Sequence, residues 1–226
     1  MTSQADSPEL KVLIFAASMR RNSLNKKLAR LAAEVAGQQE ATVDLATMDE
    51  FDVPSYDGDV EEESGIPDGA YELRDRLLDN DAFILVSPEY NGSMPGTIKN
   101  LIDWTSRFRP QPFDEQHGLL MSASPSMAGG NRGLWALRIP LEHLGARIFP
   151  KMFSLAQAHK AFDGDRIANE GLQERFEHNV EQFLALAEAA KHYPCIRKEW
   201  VEFLGEPPGE GADRVDPPVG EADEAR

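Results

Sequence analysis

Short runs of almost uninterrupted apolar residues, at 10–17, 82–87 and 117–123, constrain the fold more than any other feature of this chain. Each is too short for a buried helix and too apolar for a strand with one wet face. Central strands of a parallel sheet, covered on both sides, look like this. Between the runs the period changes. Leu24, Leu28, Leu31, Ala32 and Val35 recur at helical spacing, as do Leu73, Leu77 and Leu78, and then Ile98, Leu101, Ile102 and Trp104. Residues 41–45 and 146–153 read as two further strands, and 134–144 and 170–192 as two further helices. The alternation βαβαβαβαβα predicts an α/β fold, a doubly wound five-stranded parallel sheet of order 2-1-3-4-5 with helices on both faces. Gly37 is the expected end of the first helix, and the acidic stretch 49–63 is expected to be a long loop around Pro54 and Gly58.

With 226 residues the chain suits one domain with some excess. The domain is expected over residues 8–193. Residues 194–226 form an acidic extension rich in Pro and Gly, expected to be disordered from about 205. The formal charge is −16, unevenly spread. Residues 49–63 hold eight acidic groups and no basic one, and residues 205–226 carry a net −5, so the folded body is only mildly acidic. Such acidity opposes nucleic-acid binding, because the phosphates repel it. No stretch approaches the ~18 apolar residues of a membrane span, and the polar N-terminus is not a secretory signal. A single cysteine, Cys195, cannot build an internal disulfide and has no C-x-x-C partner; it reads as an inert thiol. A cytoplasmic location is the simplest expectation. The histidines at 117, 143, 159, 178 and 192 show no metal spacing.

The strand-to-helix loops carry the chemistry. Neither G-x-G-x-x-G nor a P-loop follows the first strand. Ser18, Arg20, Ser23 and Asn25 stand there instead, ahead of a helix start with free N–H groups and partial positive charge. Ser23 suits an N-cap or a phosphate hydroxyl partner, and Arg20 a charge-assisted contact. An ordinary capped helix is an equal reading of that loop taken alone. The third strand ends in residues 88–95, with two Pro, Asn91, Gly92 and Ser93; the fourth ends in 124–133, with Gly129 and Gly130. In a 2-1-3-4-5 sheet these three loops meet at the carboxyl edge, where ligands bind. A planar heterocycle needs close backbone approach there, and the glycines permit it.

At this point the chain resembles the NADPH-dependent FMN reductases, a flavodoxin-like family that includes quinone, chromate and azo-dye reductases. The matching blocks are Ser18-x-Arg20-x-x-Ser23-x-Asn25-x-x-Leu28-Ala29, then Pro88-Glu89-Tyr90-Asn91-x-Ser93-x-Pro95-Gly96-x-x-Lys99-Asn100-x-x-Asp103-Trp104, and finally Ser122-Ala123-Ser124-Pro125 with Gly129-Gly130. The likeness runs from about residue 10 to 190. Ala17 stands where the family commonly has Gly before the first Ser. The resemblance implies that Ser18, Arg20, Ser23, Leu24 and Asn25 hold the phosphate of FMN. It implies that Pro88, Glu89, Tyr90, Asn91, Gly92 and Ser93 wrap the isoalloxazine edge, and that Ser124, Gly129 and Gly130 close the other side. It further implies NADPH or NADH as reductant, a small-molecule acceptor (quinone, chromate, azo or nitro compound, or flavin), a ping-pong sequence, and a homodimer or homotetramer formed near the helix bearing Trp104.

No acid–base catalyst is expected, since the flavin carries the chemistry. Glu89 reads as a salt-bridge partner as well as a loop residue, and Trp104 as core or interface. Arg132 reads either as a contact to a 2′-phosphate or as a surface arginine. A phosphoacceptor receiver domain is excluded by Ser87 at the third strand's end, and a low-molecular-weight phosphatase by the lack of a cysteine in the first loop. The remaining alternative is a non-enzymatic, flavodoxin-like electron carrier or redox-sensing FMN module.

Overall fold

A computed structural model of the chain describes residues 9–191. The expected extension and Cys195 lie outside them. Five positions make the central path of one parallel sheet. Strands β1 (Lys11–Ala16), β2 (Thr42–Thr47), β3 (Ala82–Val86), β4 (His117–Ala123) and β5 (Arg147–Ile148) pair in the order β2-β1-β3-β4-β5. The register is continuous across the centre: Ala16 lies beside Val86, and Val86 beside Met121. The fifth position is not one strand but two. β5 pairs with the start of β4, and β6 (Phe153–Leu155) pairs with its end. Pro150 stands in the gap; it has no N–H to give the ladder.

Side chains alternate across each strand, so the two faces build separate cores. Val12, Ile14, Ile84, Val86, Leu119 and Met121 face helices α1 (Leu24–Gln38) and α6 (Glu170–Ala190). Leu13, Phe15, Phe83, Leu85 and Leu120 face α3 (Asp68–Asp79), α4 (Gly96–Thr105) and α5 (Asn131–His143). Of the inward residues expected for α6, Phe176, Val180, Phe183, Leu184 and Ala187 are buried, and Leu172 is only partly so. In α3, Leu73 and Leu77 are buried but Leu78 is 59 % exposed; one step of about 100° carries it off the apolar stripe. α1 runs past Gly37 to Gln38, with Gln39 as its C-cap, because the backbone reverses at Glu40, φ 60°, rather than at the glycine. A small antiparallel pair, β7 (Phe162–Asp163) and β8 (Arg166–Ile167), precedes α6.

The acidic segment is not a plain loop. It holds a 3-10 turn at Met48–Phe51 and helix α2 (Gly58–Ser64). Glu50 accepts from the Thr47 amide at 2.6 Å, and Asp57 caps α2 through the Asp59 amide at 3.0 Å. Met48 and Phe51 are buried anchors. Pro54 offers its carbonyl to the Asn100 amide at 2.7 Å and to the Trp104 indole at 2.8 Å, while the Tyr56 amide donates to Asn100 at 2.8 Å. Arg107 pairs with Glu61 at 3.0 Å, and Arg76 gathers Asp44, Glu72 and Glu50. Local charge pairing and carboxylate capping thus turn an acidic run into a packed flap over α4. No helix among the described residues is long and apolar enough to cross a membrane.

Candidate functional site

The chain leaves β1, β3 and β4 at one edge and at one level. The ladder continues a step beyond the strands: the Ala17 amide reaches the Val86 carbonyl at 2.9 Å, and the Ser87 amide the Met121 carbonyl at 2.8 Å. Connections from β1 and β3 run in opposite directions across the sheet, which makes this edge its topological switch point.

The first loop opens α1 as expected. Ser23 is the N-cap, and its hydroxyl accepts from the Asn25 and Lys26 amides at 3.2 and 3.4 Å. Among the described residues, none accepts from the backbone amides of Arg20, Arg21, Asn22 or Leu24. Arg20, Arg21 and Asn22 are exposed and Leu24 partly so, at the positive end of α1. Ser18 is 4 % exposed, at the root of the turn.

Asn25 has a different task. Its side-chain nitrogen donates to the Ala123 carbonyl at 3.0 Å and its oxygen accepts from the Ala123 amide at 2.9 Å. Both ends of this buried amide are occupied. It staples the first turn of α1 to the last residue of β4, so it sets the loop's position rather than offering a polar group to a ligand.

The second loop contains a two-residue hairpin. The Tyr90 amide donates to Ser93 at 2.9 Å, and the Ser93 amide donates back at 3.0 Å. Asn91 and Gly92 have φ 52° and 77°, the pair of positive values that a type I′ turn requires and Asn-Gly favours. A β-carbon at Gly92 meets nothing within 4 Å, so its face is open. Tyr90 projects beside it, half exposed.

The third loop is closed by its own protein. Gly129 and Gly130 both have positive φ and are buried. A β-carbon at Gly129 would stand 3.0 Å from the Ala156 amide nitrogen, and one at Gly130 1.9 Å from the Ser122 hydroxyl. The space beside Gly92 is open; beside Gly129 and Gly130 it is filled by β4, by β6 and by Ala156, the residue after β6. Ser124 is partly exposed, its hydroxyl bonded to Ser126 at 3.1 Å.

Glu89 is drawn to the start of α5. Its carboxylate accepts from the Arg132 and Gly133 amides at 3.0 and 3.3 Å and from Arg132 Nε at 2.9 Å. Burial pushes this carboxyl up, but the Arg132 hydrogen bond, the Gly133 amide and the Arg132 charge together hold it below the usual carboxylate range. Arg132 is thereby engaged, though its side chain stays 68 % exposed. The Asn25 and Glu89 contacts span 98 and 43 residues, and no local signal announces them. The remaining motif residues are structural: Lys99 pairs with Asp103 one turn away at 2.7 Å, and Asn100 and Trp104 hold the acidic flap. Among the described residues, no group of three His, Cys, Asp or Glu side chains gathers as a metal ion would need.

The comparisons agree with this arrangement. The family model for NADPH-dependent FMN reductase matches residues 10–160. A quinone reductase of Escherichia coli is 34 % identical over 146 residues, covering 64 % of this chain and 76 % of that protein. An NAD(P)H-dependent FMN reductase of Pseudomonas aeruginosa is 32 % identical over 158 residues, covering 70 % of this chain and 83 % of its own length. Among solved structures, the flavoenzyme NAD(P)H:acceptor oxidoreductase FerB of Paracoccus denitrificans superposes with a TM-score of 0.69 at 27 % identity, over 80 % of this chain and 98 % of that one. Sheet order, loop placement and sequence coverage together make the chain a member of the NADPH-dependent FMN reductase family, a family of flavodoxin-like oxidoreductases.

Proposed function

We propose that the protein binds FMN across the carboxyl edge of β1, β3 and β4 and passes reducing equivalents from NAD(P)H to a small acceptor of the quinone class. One observation carries the reading: unspent amides at the head of α1 and an open Asn-Gly turn lie on adjacent strands at the switch point. The first suits a monophosphate and the second the polar edge of a flat ring. Bound FMN supplies a hydride acceptor that also releases electrons to a second substrate.

The chain's own part is to bind and orient. Arg20, Ser23 and the amides around Leu24 hold the phosphate by charge-assisted hydrogen bonds, with Ser18 shaping the turn. Pro88 and residues 90–93 present N–H and C=O groups to the ring, and Ser124 borders its far side. Tyr90 covers the edge and limits what stacks there. With one open face, donor and acceptor take turns, which is a ping-pong sequence. The family names of the relatives support a quinone acceptor and NAD(P)H as donor. A cytoplasmic homodimer completes the reading.

The experiment is a flavin titration followed by kinetics. Apo protein is expected to quench FMN fluorescence stoichiometrically, and the complex to be bleached anaerobically by NADPH without another enzyme. Initial rates with a benzoquinone are expected to give parallel double-reciprocal lines. Protein that takes up no FMN ends this proposal. Protein that binds FMN but needs a separate reductase to be bleached is an electron carrier instead.

A further inference from the structure

Helix α5 starts without a cap of its own. Its N-cap is Gly130, with φ 87° and no side chain to receive the first amides. That end carries unsatisfied N–H groups and partial positive charge and needs an acceptor. Glu89 supplies it from the loop after β3. One carboxylate oxygen takes the Arg132 and Gly133 amides, and the other takes the Arg132 guanidinium at 2.9 and 2.5 Å. The carboxylate side chain is only 7 % exposed. The fit is tight: a β-carbon at Gly133 would come within 3.1 Å of both Glu89 Cα and the Ser93 carbonyl. Tyr90, the next residue, begins the two-residue turn. Bonds at Glu89 therefore decide where that turn stands relative to α5 and to the third loop.

We propose that Glu89 is a positioning residue, a helix cap delivered from a distant loop, which presets the Tyr90–Ser93 turn as the docking edge for the flavin ring before any ligand arrives. It acts through the turn and touches no substrate. The consequence for flavin rests on the FMN reading above; the presetting of the turn does not.

Two variants of the full chain test it, each measured without ligand by amide hydrogen exchange and then by FMN titration. Glu89→Ala is expected to lose protection at the Arg132 and Gly133 amides and also at the paired Tyr90 and Ser93 amides. Its FMN dissociation constant is expected to rise about tenfold, equivalent to about 1.4 kcal/mol. Glu89→Gln, whose carbonyl oxygen still accepts from both helix amides, is expected to restore most of the protection and affinity. It also keeps the test alive if the alanine variant does not fold. Exchange that rises only at Arg132 and Gly133, with Tyr90, Ser93 and FMN affinity unchanged, makes Glu89 a plain stability cap and overturns the proposal. If the wild type takes up no FMN, the functional reading fails, yet exchange at Tyr90 and Ser93 still decides whether Glu89 holds the turn.

Discussion

At Gly130 a β-carbon would stand 1.9 Å from the Ser122 hydroxyl, and the backbone has φ 87°. Gly130→Ala is therefore expected to lose about 2–5 kcal/mol, from left-handed strain and overpacking together. Chemical denaturation measures the loss. Ser122→Ala in the same chain is expected to return part of it, because the hydroxyl is buried without a partner and its removal relieves the nearest contact, leaving the Ser122 β-carbon at 2.9 Å. Arg20 is the opposite kind of residue. It is exposed, its side chain makes no ion pair among the described residues, and it lies beside unspent amides. Arg20→Ala is expected to leave the thermal midpoint unchanged while weakening FMN binding about 10- to 100-fold, the span of one charge-assisted bond. Equal affinity in that variant removes the arginine from the phosphate site. Ser23 is legible in the sequence as an N-cap, because short polar side chains at a helix start have few uses. Asn25 shares that residue type, but its side chain is taken up by Ala123, 98 residues away, which no local pattern announces.

Elements here are tied by single side chains, and two ties invite measurement. Asn25 binds the head of α1 to the end of β4 by two hydrogen bonds, both buried. Asn25→Ala leaves an amide and a carbonyl of Ala123 without partners and is expected to cost about 2–4 kcal/mol. FMN affinity is expected to fall with it, since the first loop loses its anchor; equilibrium unfolding and flavin titration check both. Trp104 binds the acidic flap to α4. Trp104→Phe keeps most of the buried ring but strands the Pro54 carbonyl on that side, at an expected cost of about 1 kcal/mol. Limited proteolysis is expected to cut faster within residues 52–66. An unchanged cutting rate means that the aromatic contact of Tyr56 with Trp104, centroids 5.0 Å apart, carries the docking instead. In sequence the acids of the flap resemble a solvated loop; the pairing of Glu61 with Arg107 and the bond from Trp104 to Pro54, 46 and 50 residues apart, depend on an element distant in sequence.

For the molecule as a whole, pH gathers these contacts into one observable. His117 is half-buried with Nε2 unpartnered, and burial, then Arg147, push its pKa below 6.5 against the pull of Glu115. The unfolded chain takes that proton more readily, so stability is intact above about 6.5 and declines as pH drops below it. Glu50 and Glu89 sit below their ordinary 4.5 because hydrogen bonds and arginine charge outweigh desolvation. Their contribution is present above 4.5 and is lost as pH falls through their lowered values. Denaturant midpoints against pH are expected to fall in two stages, and His117→Gln is expected to flatten the first. A single stage confined to low pH would remove His117 from the account. The same division of local and distant causes separates what could be read from the chain alone. Strand and helix order, the three loops and the family all follow from sequence, because apolar periodicity and short-range turn chemistry are local properties. The break of the fifth strand at Pro150, the folding of the acidic flap, the filling of the space at Gly129 and Gly130, and the partners of Asn25 and Glu89 depend on residues far apart in sequence. Only the tertiary structure decides them, because a buried polar group takes whichever partner packing brings within about 3 Å.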